Sequence, residues 1–402
     1  MNKIKIYIFL FALILFIGDG YGLGLNFHGS ASNSVYHYED VETHTRLYQF
    51  LRFSLDSPEL NNVSLNASLR ALTDVDVDLE DDARFKAYNL NIKAKKLFNR
   101  LDVVFGRQFL HPGTVLGGLD GLYLKYHLSP KLAFTVYGGV ESHFQRSFKI
   151  YKAEDSFTSG GVFELKKIFQ SNMQFLYLRK STDEEVFWHL TGWNFDSKLI
   201  PYTRLRVQAH YDIENSQLHR LYLSTRHTIN KNFLVTLGYK SQYPQVYANS
   251  FYTIFEIDAY QQYQLGCTYK LFGNFFLNGQ YRYLKFDTED ANQIFATISH
   301  LNGSLGLIYE SGYSGEQLGI IADYAYSITP NLIASASVDY TKYKTETVYD
   351  YETDNQLANA VRVAYRFKKH WTIDLEYQWI NNDRFEETEN DSRILNHIQF
   401  SW

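Results

Sequence analysis

From about residue 45 to the end of the chain, apolar and polar residues take turns in segments of roughly ten. Val63, Leu65, Ala67, Leu69 and Ala71 alternate with Ser64, Asn66, Ser68 and Arg70. Leu205, Val207, Ala209 and Tyr211 alternate with Arg204, Arg206, Gln208 and His210, and Tyr263, Leu265, Cys267 and Tyr269 with Gln262, Gln264, Thr268 and Lys270. Trp371, Ile373, Leu375, Tyr377 and Trp379 do the same against Thr372, Asp374, Glu376 and Gln378. A period of two puts each set on its own face of a strand. No helical period of useful length competes, so the pattern predicts an all-β chain.

The connections sort into two kinds. Tight ones carry turn chemistry: Ser129-Pro130-Lys131, Ile200-Pro201, Asn230-Lys231-Asn232, Phe272-Gly273-Asn274, Thr329-Pro330-Asn331 and Lys368-Lys369-His370. Longer polar links are expected at 142–155, 242–257, 345–355 and 381–392. Short turns at one end and longer loops at the other predict a transmembrane up-and-down antiparallel β-barrel of about 18–22 strands. The higher count requires residues 291–312 to form two short strands around Asn302-Gly303, a good hairpin dipeptide.

Composition narrows this picture. The 402 residues include 33 Tyr and 30 Phe but only 6 Pro and one Cys. Disordered chains are aromatic-poor, and a net charge of −5 gives no basic face for nucleic acid. Cys267 has no intramolecular partner, so no disulfide framework is available. Lys3 and Lys5 precede an apolar run from Ile6 to Ile17, and Gly20-Tyr21-Gly22 follows with small residues where a signal peptidase reads. Residues 1–22 therefore read as a secretory signal and 23–402 as the exported barrel. Beyond residue 22 no apolar run reaches the length of a membrane helix. Tyr281, Tyr283, Tyr324, Tyr326, Tyr340, Tyr377 and Trp379 fit an interfacial aromatic belt.

Two local resemblances add to this. Ile394, Asn396, Ile398, Phe400 and Trp402 share one strand face, and the chain stops on an aromatic residue. This resembles the C-terminal strand of Gram-negative outer-membrane proteins, which implies that Phe400 and Trp402 are read by the barrel-assembly machinery; Trp402 stands where Phe is usual. Gly106-Arg107-Gln108, followed across Pro112-Gly113-Thr114 by Asp120-Gly121, is similar to a pattern in alginate-export-like and related porin-type barrels. That resemblance implies passive conduction of polar or anionic solutes. Arg107 has the parity of Leu101, Val103 and Phe105, so it faces lipid unless a bulge at Gly106 turns it inward; the alternative is an Arg holding a loop through Asp120.

The polar face would line the lumen. Its expected cations are Arg70, Lys93, Lys125, Arg204, Arg206, Arg220, Arg226, Lys240, Lys270, Arg282, Arg362 and Arg366, against the acids Glu164, Asp212, Asp323, Asp339, Asp374 and Glu376. Arg204, Arg206, Arg220 and Arg226 fall on adjacent strands and could form one positive wall, which favours anions. The acidic stretches 74–83, 346–354 and 383–391 could bind divalent cations and bridge to lipopolysaccharide, or simply be solvated. Tyr243, Tyr247 and Tyr252 could stack on sugars. No zinc or nucleophile-elbow motif occurs; His210, Asp212 and Ser224 form the one conceivable catalytic set, without a specific spacing. The expectation is a porin-like outer-membrane channel for small polar or anionic solutes, surrounded by lipid and lipopolysaccharide, without cofactor, metal or catalysis. A structural or adhesive barrel with a blocked lumen is the alternative, and a barrel enzyme a more distant one.

Overall fold

The computed structural model describes residues 26–39, 42–56, 62–77, 85–110, 117–142, 150–183, 185–243, 259–312, 315–346, 351–367, 370–382 and 390–402. The expected signal segment lies outside them. The first strands are β1 (Asn26–Glu39), β2 (Thr43–Asp56), β3 (Val63–Asp74), β4 (Phe85–Leu97), β5 (Leu101–Leu110), β6 (Gly117–Ser129), β7 (Leu132–Glu141) and β8 (Ser156–Ile168). Then come β9 (Ser171–Thr182), β10 (Glu185–Ser197), β11 (Thr203–Asp212), β12 (Gln217–Asn230), β13 (Phe233–Gln242), β14 (Tyr260–Lys270) and β15 (Phe276–Lys285). The last are β16 (Ala291–His300), β17 (Gly303–Gly312), β18 (Glu316–Thr329), β19 (Leu332–Glu346), β20 (Tyr351–Phe367), β21 (Trp371–Asn382) and β22 (Asn390–Ser401).

Each strand pairs antiparallel with its chain neighbours, and β1 also pairs with β22, so the 22-stranded sheet closes on itself. At the seam, Trp402 N–H donates to the Gly29 carbonyl at 3.1 Å and Gly29 N–H to the Trp402 carbonyl at 3.2 Å. The Trp402 ring stacks on Phe27, with centroids 5.3 Å apart. Residues 291–312 do form two strands, β16 and β17.

All the turn motifs fall at one end of the barrel. There the turns are held by side-chain oxygens just upstream: Ser129 Oγ accepts from Lys131 and Leu132 N–H, Asn230 Oδ1 from Asn232 N–H and Thr329 Oγ1 from Asn331 N–H. The links at the other end are more varied than the sequence suggests. Those expected at 345–355 and 381–392 shrink to 347–350 and 383–389, because β19 to β22 run further than their apolar pattern does.

Facing follows the alternation. Leu237, Leu265, Leu305, Leu307, Leu318 and Val361 are each at least half exposed, and the polar residues between them point to the interior. So continuous an exposed apolar belt has no place in water; it is the surface of a membrane-spanning barrel, with backbone polar groups satisfied within the sheet. Leu265→Arg, in the middle of β14, should destabilise the folded barrel by roughly 2–4 kcal/mol, whereas Gln264→Arg on the opposite face should be tolerated. Denaturant titration of both variants in lipid vesicles checks this, and equal stabilities would overturn the facing.

Candidate functional site

The interior wall is not uniform around the circumference. Between β5 and β10 it includes a packed apolar cluster: Leu110, Leu119, Tyr137, Leu178 and Leu190, with Tyr123 and Trp188 against them. Leu119, Leu178 and Leu190 are each only 1% exposed. Lys180 is buried beside this cluster, paired with Glu141 and lying 4.8 Å from the Trp188 ring centroid. The sequence assigns the lumen to the polar face of the strands; these leucines stand at that parity and make this part of it apolar.

Next comes a basic arc. Cross-strand register sets the rows: Arg220 lies opposite His210 and Gln242, Tyr222 opposite Gln208 and Lys240, Ser224 opposite Arg206 and Gly238, and Arg226 opposite Arg204 and Thr236. Every interior row of β11 to β13 thus holds at least one cation, with rows about 6.8 Å apart along the strand. Arg226 is exposed to the interior and has no ion-pair partner among the described residues. Arg220 lies 6.0 Å from the Tyr222 ring centroid, and its Nε is shielded without an acceptor. Lys240 Nζ donates to the Tyr260 hydroxyl. The arc continues through Lys270 on β14 and Arg282 on β15, the latter 5.0 Å from the Phe295 ring centroid.

Part of this charge is compensated. Arg204 donates to both oxygens of Asp196 (Nε–Oδ1 3.0 Å, Nη2–Oδ2 2.6 Å), and Arg206 Nε reaches Oδ2 at 3.0 Å. Asp196 on β10 is missing from the sequence tally of acids, although Trp193 and Phe195 alternating with Asn194 and Asp196 carry the signal. Lys125 pairs with Glu164 at 2.6 Å, and Arg362 with Asp374 at 2.9 Å. Arg70 sits about 6 Å from the Tyr48 and Tyr88 ring centroids. Lys93 and Arg366 make no ion pair among the described residues. On β17 to β21 the interior carries Glu310, Asp323, Asp339, Asp374 and Glu376, with Arg362 and Arg366 of β20 among them, an arc richer in acid than the basic one. Near the loop end of that arc, Glu310, Gln317, Asp339, Thr341, Tyr343 and Gln356 line a recess of about 500 Å³.

The Gly-Arg-Gln and Asp-Gly pieces meet in space. Arg107 and Asp120 are direct cross-strand partners, with Nε–Oδ1 at 2.7 Å and Nη2–Oδ2 at 2.6 Å, and their side chains are 8% and 10% exposed. Arg107 Nη1 also donates to the Ala87 carbonyl at 3.4 Å. Phe105 and Phe109, of the same parity, are 63% and 56% exposed, so Arg107 is withdrawn from the apolar surface its parity assigns. Gly106 adopts φ 113°, a conformation L side chains avoid. The register through Gly106 is unbroken on both sides, so no bulge is present there.

The other candidate sites do not assemble. His210 Nε2 contacts Asn194 Oδ1 at 3.1 Å, and the Asp212 carboxylate holds the turn through Glu214 N–H, Asn215 N–H and the Asn215 amide. Ser224 pairs with Arg206, four positions and about 13 Å along the strand from His210. Among the described residues no three His, Cys, Asp or Glu side chains are placed to hold a metal. Asp74 is engaged by His44, Arg46 and backbone N–H groups; most of the acidic stretches, Tyr247 and Tyr252 lie outside the described residues.

No protein-family model matches the chain, and no curated protein matches its sequence. Solved structures resemble it in fold. The P pilus usher (PapC) translocation pore superposes with a TM-score of 0.52 at 6% identity, covering 94% of this chain and 99% of that one. Acinetobacter baumannii OccAB4 gives 0.46 at 10% identity over 94% and 98%, and Pseudomonas aeruginosa OccK3 (OpdO) 0.44 at 9% over 94% and 96%. The fold is that of an outer-membrane β-barrel.

Asp120→Ala removes the carboxylate that the buried Arg107 guanidinium pairs with and should destabilise the barrel by about 3–5 kcal/mol. The double variant Arg107→Met/Asp120→Leu, which removes both charges, should recover much of that loss in the same vesicle unfolding titration.

Proposed function

We propose that the protein is a passive, porin-like channel for small polar solutes, with a mild preference for anions. The observation carrying this reading is the uninterrupted row of cations along β11 to β13, from Arg220 through Lys240 and Arg206 to Arg226 and Arg204. A confined wall of one sign raises the local concentration of counter-ions and favours their passage. The preference is mild because Asp196 offsets Arg204 and Arg206, and because an acid-rich arc stands elsewhere on the wall. Arg70, Lys93, Lys125, Lys270, Arg282, Arg362 and Arg366 are read as pore-lining in the same sense, with Lys125 and Arg362 muted by their acids. Arg107 braces the wall through Asp120 and is not a solute contact.

The same reading includes export by residues 1–22, recognition of Phe400 and Trp402 by the barrel-assembly machinery, and a rim in contact with lipopolysaccharide. Catalysis has no part in it, since the His210, Asp212 and Ser224 groups are separately engaged or too far apart. A barrel with a blocked lumen is the second reading, favoured by the packed apolar cluster on the inner face of β5 to β10.

The test is planar-bilayer recording of the refolded chain across a salt gradient. A steady conductance with a reversal potential on the anion side is expected. Arg226→Glu should move that potential towards cations, whereas Arg362→Ala/Asp374→Ala, which removes an ion pair and leaves the net charge unchanged, should move it little. Absence of conductance from a folded, heat-modifiable barrel would favour the blocked-lumen reading.

A further inference from the structure

On the outer face of β21, Trp371 and Tyr377 bracket Ile373 and Leu375, which are 39% and 51% exposed. These two rows lie between aromatic levels, at the depth of the hydrocarbon. Carried across the register, the Ile373 row reads Ile398 on β22, Asn33 on β1, Gln49 on β2 and Ala71 on β3. The Leu375 row reads Asn396, Val35, Leu47 and Thr73. Three primary amides, Asn33, Gln49 and Asn396, share this strip of outer surface; they stand six, four and six residues along their own strands from Phe27, Phe53 and Trp402, which mark one aromatic level, and so lie inside the membrane layer.

Their facing is fixed by neighbours. Ile394 and Ile398, flanking Asn396 on its own face, are 46% and 38% exposed, and Val35, two positions from Asn33, is 36% exposed. Ser34, of the opposite parity, instead bonds His397 at 2.8 Å on the inner side. None of the three amides has a side-chain hydrogen-bond partner among the described residues. Outward amides elsewhere are served by tyrosine hydroxyls, as in Tyr281 to Asn292 at 2.7 Å and Tyr340 to Asn355 at 3.0 Å. An amide facing lipid without a partner is strongly disfavoured, because hydrocarbon offers neither donor nor acceptor. Beside Asn33 and Gln49 the strip is low, because Ala31 precedes Asn33 on its own face and Ala71 is the cross-strand partner of Gln49, so another surface can come close there.

We infer that this strip over β22, β1, β2 and β3 is the contact surface for a second copy of the chain. An amide is both donor and acceptor, so a patch of amides complements itself. Copies inserted in the same direction hold their Asn33–Gln49 and Asn396 rows at the same depth, which brings amide to amide in the layer where no other partner exists. The inference is independent of what the lumen conducts.

The test measures the mass of the full chain extracted from outer membranes into lipid nanodiscs, for the wild type and for the triple variant Asn33→Leu/Gln49→Leu/Asn396→Leu. The wild type should be oligomeric and the variant monomeric, while both keep the heat-modifiable mobility of a folded barrel. A photo-crosslinker at position 33 should link the wild type to a copy of itself, and that product should be lost when the other two amides become leucine. A monomeric wild type, an oligomer that survives the triple substitution, or crosslinks solely to a different protein would each overturn the assignment. If the triple variant fails to fold, the crosslink at position 33 in the otherwise native chain decides alone.

Discussion

Everything in this structure depends on one constraint: a backbone that crosses hydrocarbon must find all its hydrogen-bond partners within the protein. A sheet satisfies that only when it has no edge. Closure therefore rests on β1 meeting β22, and the last residue takes part through reciprocal bonds between Trp402 and Gly29. Phe27, Phe400 and Trp402 stack over that junction and shield it from lipid.

Closure also separates two solvents. Because side chains alternate, one parity must suit lipid and the other is free to suit the interior. The interior parity is used in three different ways around the circumference. It is a packed apolar cluster on β5 to β10, a cationic ladder on β11 to β15 and an acid-rich arc on β17 to β21. Sorting charge by arc keeps part of it uncompensated. Arg226 faces the interior without an acid, whereas Arg204 and Arg206 converge on one Asp196 carboxylate.

What was legible in the sequence was whatever the lipid dictates. The strict alternation of β14 and β21 and the paired strands around Asn302-Gly303 reflect an outer face that must be apolar. The ends of β19 and β20 read as loops because they extend past the aromatic level at Tyr340, where the outer face meets water and Lys342, Lys344 and Thr353 stand at the outer parity in place of apolar residues. Parity cannot tell a covered interior residue from a bare one, so Leu119, Leu178 and Leu190 gave no sign of packing together. Nor can it foresee Arg107, whose withdrawal from the apolar surface depends on an Asp thirteen positions away and on the φ of Gly106. The candidate wall of Arg204, Arg206, Arg220 and Arg226 was legible as neighbours. Its rows and its Asp196 counter-charge required the register.

The most direct test of a closed barrel with lipid outside and an aqueous interior uses the lone thiol. Cys267 lies on the outer face of β14 beside Leu265 and Tyr269. In sealed vesicles, a bulky water-soluble maleimide should leave Cys267 unmodified. It should modify single cysteines placed at Gln264, Gly266 and Thr268 in a Cys267→Ser background. Labelling that ignores parity would contradict the assignment of faces, and protection at both parities would contradict an open interior.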